Sequence, residues 1–177
     1  EEMASTLPEA ARPMFAIMVD MLAELDKRIA TLDREIAKRA RDDEAALRLM
    51  TIPGIGPITA TAIIALAPPM ETFRKGRDFA AWLGLTPRQH STGGKQRLGS
   101  ISKMGERTIR RLLIIGGSSV VRHACRRGAP AGSWLEQMLA RKPRMLVSVA
   151  LANKMARTVW ALLTRQEDYK APAAVAA

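Results

Sequence analysis

The chain is poor in the side chains that build metal centres and hydrolytic triads. It has one cysteine, Cys125, and two histidines, His90 and His123. A single cysteine excludes an internal disulfide and fits a reducing compartment. A zinc site needs four convergent ligands, and His123 and Cys125, two apart on a helix, do not face each other. The acids of residues 1–44 are strung along one helical segment and cannot gather around Mg²⁺ by themselves. No metal site is therefore expected in this chain. His90 stands beside Ser91 without a partner acid, which leaves no Ser-His-Asp triad. Aromatic residues make up only 4% of the chain. No signal-peptide pattern is present, and no apolar run is long enough to span a bilayer. A membrane-surface helix would need Trp or Phe opposite its basic face, so no membrane partner is expected. Strand-like runs of β-branched residues are scarce as well. Ala, Leu, Ile and Met dominate the apolar 47%, and that composition predicts an all-α fold.

Acidic residues are missing where basic ones collect. The chain holds 28 Lys and Arg against 17 Asp and Glu, a net charge of +11. The whole excess lies in residues 73–127, whose only acids are Asp78 and Glu106. A solvated helix face mixes signs, so a block of one sign points to a polyanion, and nucleic acid is the expected partner.

One short helical run before that block stands Ile52-Pro53-Gly54-Ile55-Gly56-Pro57. A helical run precedes it and a small-residue helical run follows. This is the pattern of a helix-hairpin-helix module. Its glycines permit the turn and a close approach. The amides of Gly54, Ile55, Gly56 and the next helix's first residues lack intrahelical partners and suit a phosphodiester. The plainer reading is a helical corner that needs glycines to turn.

Residues 9–49 read as one long helix. Phe15, Met18, Leu22, Leu25, Ile29, Leu32 and Ile36 alternate spacings of three and four, an a/d seam of about three heptads, and mixed charges fill the outer face. Self-association through a coiled coil is expected, as a homo-oligomer. Further helices are predicted over 57–66, 78–83, 106–127, 134–141 and 143–166, with Gly116-Gly117 letting another backbone come close. Segments 1–49, 50–168 and 169–177 are expected to be a coiled-coil helix, a compact helical domain and a disordered tail. The chain begins at Glu1 without Met, and it reads as a piece of a longer protein.

Residues 84–105 carry the richest chemistry. Two successive loops hold Ser91, Thr92, Ser100 and Ser102 beside Gly93, Gly94 and Gly99 and the cations Arg88, Lys95, Arg97 and Lys103. Such loops bind phosphate through amides and charge. The same residue types suit a hydroxyl that attacks phosphorus while cations stabilise the developing charge.

The order Ile-Pro-Gly-Ile-Gly (52–56), Phe73-Arg74, Trp82-Leu83-Gly84-Leu85-Thr86-Pro87, Ser91-Thr92-Gly93-Gly94-Lys95, Ile101-Ser102-Lys103-Met104-Gly105 and Ile109-Arg110-Arg111-Leu112-Leu113 resembles the C-terminal transposase domain of the bridge-RNA-guided DEDD insertion-sequence transposases. The resemblance covers residues 48–165. It implies a preceding coiled coil and, in the complete protein, an N-terminal RNase H-like domain whose acids bind Mg²⁺. It also implies DNA and guide RNA as partners. In that family a serine in the loop after the Gly-Leu-x-Pro motif attacks DNA, forming a phosphoserine link and completing a composite site with acids of another subunit. Family members often carry Ser directly before the loop's Gly. Here Thr92 holds that position and Ser91 precedes it, so Ser91 is the expected nucleophile, with Thr92 and Ser102 as alternatives.

The resulting expectation is a transposase or site-specific recombinase of an insertion sequence, acting in the prokaryotic cytoplasm at the nucleoid. Gly54, Ile55, Gly56, Arg88, Lys95, Arg97, Lys103, Arg107, Arg110 and Arg111 would bind nucleic acid. The piece alone would bind without cleaving. The rival reading is a non-catalytic helix-hairpin-helix binding module.

Overall fold

Asp43 sets the first boundary in the structure. Helix α1 (Arg12–Asp42), entered through a 3₁₀ turn at Glu9–Ala11, ends there. Asp43 is extended (φ −111°, ψ 116°), and its carboxylate accepts the Ala46 amide at 2.9 Å. It thereby caps a new helix, α2 (Glu44–Met50). The single helix expected over 9–49 is thus two. Asp offers the backbone a local acceptor and favours a cap over a helix interior. The computed structural model describes residues 8–170. Residues 1–7 of the expected coiled-coil segment and 171–177 of the expected tail lie outside the described residues.

The chain divides between Lys38 and Arg39 into two units, earlier than the expected boundary at 49/50. The first unit is α1 up to Lys38. Its seam residues Phe15, Met18, Leu22, Leu25, Ile29 and Leu32 are all exposed, and Leu22 and Leu32 keep about 60% of their surface (61% and 62%). On the outer face Arg28 Nε pairs with Glu24 at 3.1 Å, one turn away.

The second unit continues from α2 through a turn at 51–56 into α3 (Pro57–Leu66), with Pro57 where its missing amide costs nothing. After a 3₁₀ turn at Met70–Thr72 come α4 (Gly76–Trp82), strands β1 (Pro87–Gln89) and β2 (Leu98–Ile101), α5 (Arg107–Arg127), α6 (Trp134–Arg141) and α7 (Arg144–Arg165). The fold is mostly helical. The expectation of an all-α chain is corrected by one antiparallel hairpin, β1–β2, where two loops were expected.

The core lies where α7 packs on α5 and α4, and α3 also packs on α5. Phe79, Leu83, Leu85, Ile109, Leu113, Val147 and Val159 are fully buried. Phe73, Phe79 and Trp82 form a ring cluster with centroids 5.2–5.8 Å apart. Trp160 Nε1 donates to the carbonyls of Met70 (3.2 Å) and Phe73 (3.3 Å), so the indole is satisfied as it packs. The glycine pair of α5 does what its spacing predicts. A Cβ on Gly116 would lie 2.0 Å from the Gly54 oxygen, and one on Gly117 would lie 2.9 Å from the Ser148 oxygen. The 51–56 turn and α7 therefore rest directly on the α5 backbone.

Among the described helices α7 alone is long and apolar enough to cross a membrane by length and composition. Ala152, Met155, Ala156 and Val159 on it are core residues. Tyr169 was expected to begin the tail. Instead its amide donates to Thr51 Oγ1 at 2.9 Å and its side chain packs on the core.

Candidate nucleic-acid interface

The hairpin grows from the acid-free segment 84–105. Gly93 (φ 58°) and Gly94 (φ 77°) occupy both central positions of the turn between Thr92 and Lys95, which pair across it. Two positive φ angles make a turn whose twist matches that of paired strands. Gln89 pairs with Leu98, and the His90 amide donates to the Arg97 carbonyl at 2.8 Å. A register shift nearer the base brings Pro87 opposite Ile101. Residues 88–100 are exposed throughout, so the two strands leave the body as an arm.

The base of the arm is rigid, and Arg110 makes it so. Its guanidinium Nη1 donates to the carbonyls of Leu83 (2.9 Å) and Met104 (3.1 Å) and lies 3.4 Å from the Glu106 carbonyl. Leu83 precedes the hairpin and Met104 follows it, so one side chain ties both feet to α5. The Ser102 amide donates to Thr86, the Lys103 amide to Gly84, and Asn153 Nδ2 on α7 to Leu85 at 3.1 Å. Glycine is required at the crossing. A Cβ on Gly105 (φ 77°) would lie 1.8 Å from the Trp82 oxygen, and one on Gly84 would lie 2.1 Å from the Met104 oxygen. Glu106 caps α5 by accepting the Thr108 amide. That bond holds its carboxyl below the ordinary range, so the cap's stabilisation is full at neutral pH and is lost as pH falls through the lowered value.

The expected site residues therefore separate. Lys95 and Arg97 stand on the exposed arm and their side chains bond to no described residue. Arg88 Nη2 reaches across to the Ser102 carbonyl at 3.2 Å. Lys103 is exposed at the foot with φ 57°. Arg107 and Arg111 are exposed on α5. Arg110 is only 9% exposed and serves the arm's base, which corrects its expected place on the binding surface. Ile55 is also corrected: its side chain is buried and its amide donates to Ile52 at 3.0 Å. Gly54 (φ 90°) turns the chain and lets α5 approach, since its Cβ would lie 2.8 Å from the Gly116 oxygen. Gly56 is exposed, and the first amides of α3 beyond it have no helical partner.

The hydroxyls separate too. Ser91 is exposed, and its Oγ accepts the Arg97 amide at 3.1 Å. Pairing puts Thr92 on one face with Lys95, and Ser91 on the other, since cross-strand partners share a face. Ser102 belongs to the foot, half-buried. Sequence reasoning missed the hairpin, Asn153 and the tether formed by Arg110. The Gly-Gly pair at 93–94 was the available signal for the first. The spacing of Arg110 with Leu113 and Gly117, on the apolar side of α5, was the signal for the last. Among the described residues no three His, Cys, Asp or Glu side chains gather as a metal site.

Comparison with known proteins bears on this arm and its base. Residues 46–130, from α2 to just beyond α5, match the model of the transposase IS116/IS110/IS902 family. The chain is 48% identical over 164 residues to a Pseudomonas aeruginosa protein named as a probable family 20 transposase, covering 93% of this chain and 48% of that protein. It is 36% identical over 169 residues to the transposase for insertion sequence element IS1111A of Coxiella burnetii, covering 96% and 46%. It is 39% identical over 141 residues to the transposase for element IS1328 of Yersinia enterocolitica, covering 80% and 42%. The chain spans about half the length of the curated relatives it matches. With its hairpin arm, tethered base and glycine contacts inside the matched segment, this chain carries the transposase domain of the IS116/IS110/IS902 family.

Proposed function

We propose that the full-length protein is a DNA transposase of an insertion sequence, and that this chain supplies nucleic-acid binding and a serine nucleophile. The observation that supports it is the arm. An acid-free hairpin carries Ser91 on one face and Lys95 and Arg97 on the other, and stands on a base tied by Arg110. In the reaction Ser91 Oγ attacks a DNA phosphorus. The Oγ–P bond forms and the bond from phosphorus to the departing strand's oxygen breaks. The hydroxyl proton passes to solvent, and the released strand end takes one up from solvent. The Arg97 amide already donates to Oγ, which favours the alkoxide character needed for attack. The long side chains of Lys95, Arg97 and Arg88 belong to the same narrow arm and would reach round its edge to balance charge on the phosphate. The turn at 51–56 with the exposed start of α3 acts as a helix-hairpin-helix contact for a phosphate backbone. Mg²⁺ would be held by acids in the full-length protein, in the part of the longer relatives outside the matched span. A guide RNA is the second polyanion proposed for the surface, and DNA as substrate places the protein at the nucleoid. The direct test is to denature a reaction of the full-length protein with its element's DNA and map any covalent adduct. A phosphoserine link at Ser91 supports the proposal; strand transfer with no protein-linked DNA overturns it.

The chain by itself should bind DNA with little sequence preference. If about six phosphates are neutralised, affinity falls on the order of a thousandfold between about 50 and 200 mM salt. A flat salt dependence would show that the basic surface does not contact the backbone.

The exposed seam of α1 is proposed to pair with a second copy as a coiled coil. Leu25 and Ile29 are 49% and 55% exposed at its centre. Leu25→Asp with Ile29→Asp should turn the oligomer into a monomer by light scattering while the helical signal of residues 39–170 persists. An unchanged particle mass, or a monomeric wild type, refutes the pairing.

A further inference from the structure

Helix α5 presents two different arginine sets to two different tasks. Arg110 faces inward with Leu113, Gly117, Val121 and Ala124, all buried. Arg107, Arg111, Arg122 and Arg126 are exposed. At about 100° per residue these four fall within roughly a third of the helix circumference, opposite the buried side. They span about 28 Å along the axis, in two pairs whose members are one turn apart. None of the four bonds to a described residue, and α5 holds no acid anywhere along its length. Between the pairs the same face carries Ile115 and the small hydroxyl residues Ser118 and Ser119.

We propose that this outer stripe is a track for the phosphate backbone of a DNA duplex, separate from the hairpin arm and leading to its base. The inference rests on the nucleic-acid reading above and goes beyond it by assigning Arg122 and Arg126 and the kind of partner. Four unpaired guanidinium groups in a straight row, with no carboxylate among them, fit a regular polyanion. One strand of a duplex carries a phosphate about every 3.4 Å of its axis while it winds round, so the stripe meets only the few successive phosphates that face it. One side of α5 is buried against α3 and α7, so the helix is too embedded to enter a groove and meets phosphates instead of base edges. The stripe carries no Phe, Tyr or Trp. A single strand, which gains much of its affinity by stacking on aromatic rings, finds no platform there. Between the arginine pairs Ser118 and Ser119 are short, and Ile115 is the one large side chain that a duplex lying across both pairs would meet. Arg107 directly follows the Glu106 cap, and Arg110 on the inward side holds the arm's feet. A duplex seated on the stripe is thus registered against the same helix that holds the feet of the arm carrying Ser91.

The test is fluorescence anisotropy of the 177-residue chain with a duplex about 30 base pairs long and with oligothymidine of equal length, over a salt series. Replacing Arg107, Arg111, Arg122 and Arg126 by Gln should lower the slope of log affinity against log salt by about 3–4 for the duplex. It should weaken duplex binding on the order of a hundredfold near 0.1 M salt, and oligothymidine binding much less. Arg122→Gln with Arg126→Gln alone should lower the slope by about 2, which secures the test if the fourfold variant folds poorly. A variant with Lys27, Arg28, Arg34 and Lys38 changed to Gln removes as much charge and should keep the wild-type slope. If the wild type binds steeply and both stripe variants match it, the track is overturned while the nucleic-acid reading stands. If the charge-matched α1 variant loses as much, the effect is net charge and the track is again overturned. A stripe variant that loses polyglutamate but not duplex would assign the surface to an acidic protein and overturn the proposal. A wild type that binds no nucleic acid overturns the underlying reading itself.

Discussion

Ser91→Ala in the full-length protein is expected to abolish strand transfer while leaving DNA affinity within a few-fold of wild type. A nucleophile is part of the reaction path, so its removal costs orders of magnitude, unlike the loss of a phosphate contact. The structure gives Ser91 what the role needs: exposure, an amide donating to its Oγ at 3.1 Å, and cations on the same short arm. Its Oγ contact is to backbone, so deleting it loosens one cross-strand bond of an exposed hairpin and leaves the fold intact. The neighbours are the controls. Thr92 pairs with Lys95 on the opposite face, so Thr92→Ala should keep activity within about tenfold. Ser102→Ala should do the same, because Ser102 sits in the foot and holds the structure through its backbone. Strand transfer surviving in Ser91→Ala but lost in Thr92→Ala would move the nucleophile to the other face of the hairpin. Activity in all three variants would remove the serine step altogether.

The helices of this chain could be read from its sequence because their ends are punctuated. Pro57 opens α3, Gly128 follows α5, Ser133 caps α6, and Pro143 and Gln166 bracket α7. The break at Asp43 was harder. The apolar seam fades after Ile36, but helix-forming residues run on through Asp43, and the cap chemistry of that one carboxylate divides α1 from α2. The hairpin was illegible as strand. Pro87-Arg88-Gln89 and Leu98-Gly99-Ser100-Ile101 are too short and too poor in β-branched residues to carry a period of two. Their pairing is imposed by the Gly-Gly turn at the tip and by the tether at the base. The charged surface was legible as a quantity and misplaced in part. Arg107, Arg110 and Arg111 look alike by residue type, yet the turn of the helix sends two of them to solvent and one inward. Gly54 shows the same limit. The sequence required a glycine there, and the physical reason is the backbone of α5 at Gly116 as much as the turn itself.

Arg110→Met should be a costly single change. The methionine keeps an apolar stem of similar reach and removes the donors. The carbonyls of Leu83, Met104 and Glu106 then face a side chain that cannot satisfy them. Hydrogen bonds from a charged group contribute about 1.5–3 kcal/mol each, and stranded buried acceptors cost about 1–3 kcal/mol. A loss on the order of 3 kcal/mol is expected, a large part of the roughly 5–15 kcal/mol by which a domain is stable. At about 2–4 °C per kcal/mol, Tm should fall by roughly 10 °C. Arg110→Lys should fall between, since an ammonium reaches fewer of the three carbonyls and lacks the planar fork. A second lesion tests whether these contacts act as one lock. Gly105→Ala puts a Cβ into the Trp82 carbonyl at a residue with φ 77°, which displaces Met104 from the same crossing. If Arg110 and Gly105 hold one crossing, the double variant should lose clearly less than the sum of the two single losses. In the full-length protein, Arg110→Lys assayed well below its Tm should lower the strand-transfer rate more than DNA affinity, because the arm is still charged but no longer fixed at its feet. Additive losses, or a rate that tracks affinity alone, would mean that the arm's base is held without Arg110.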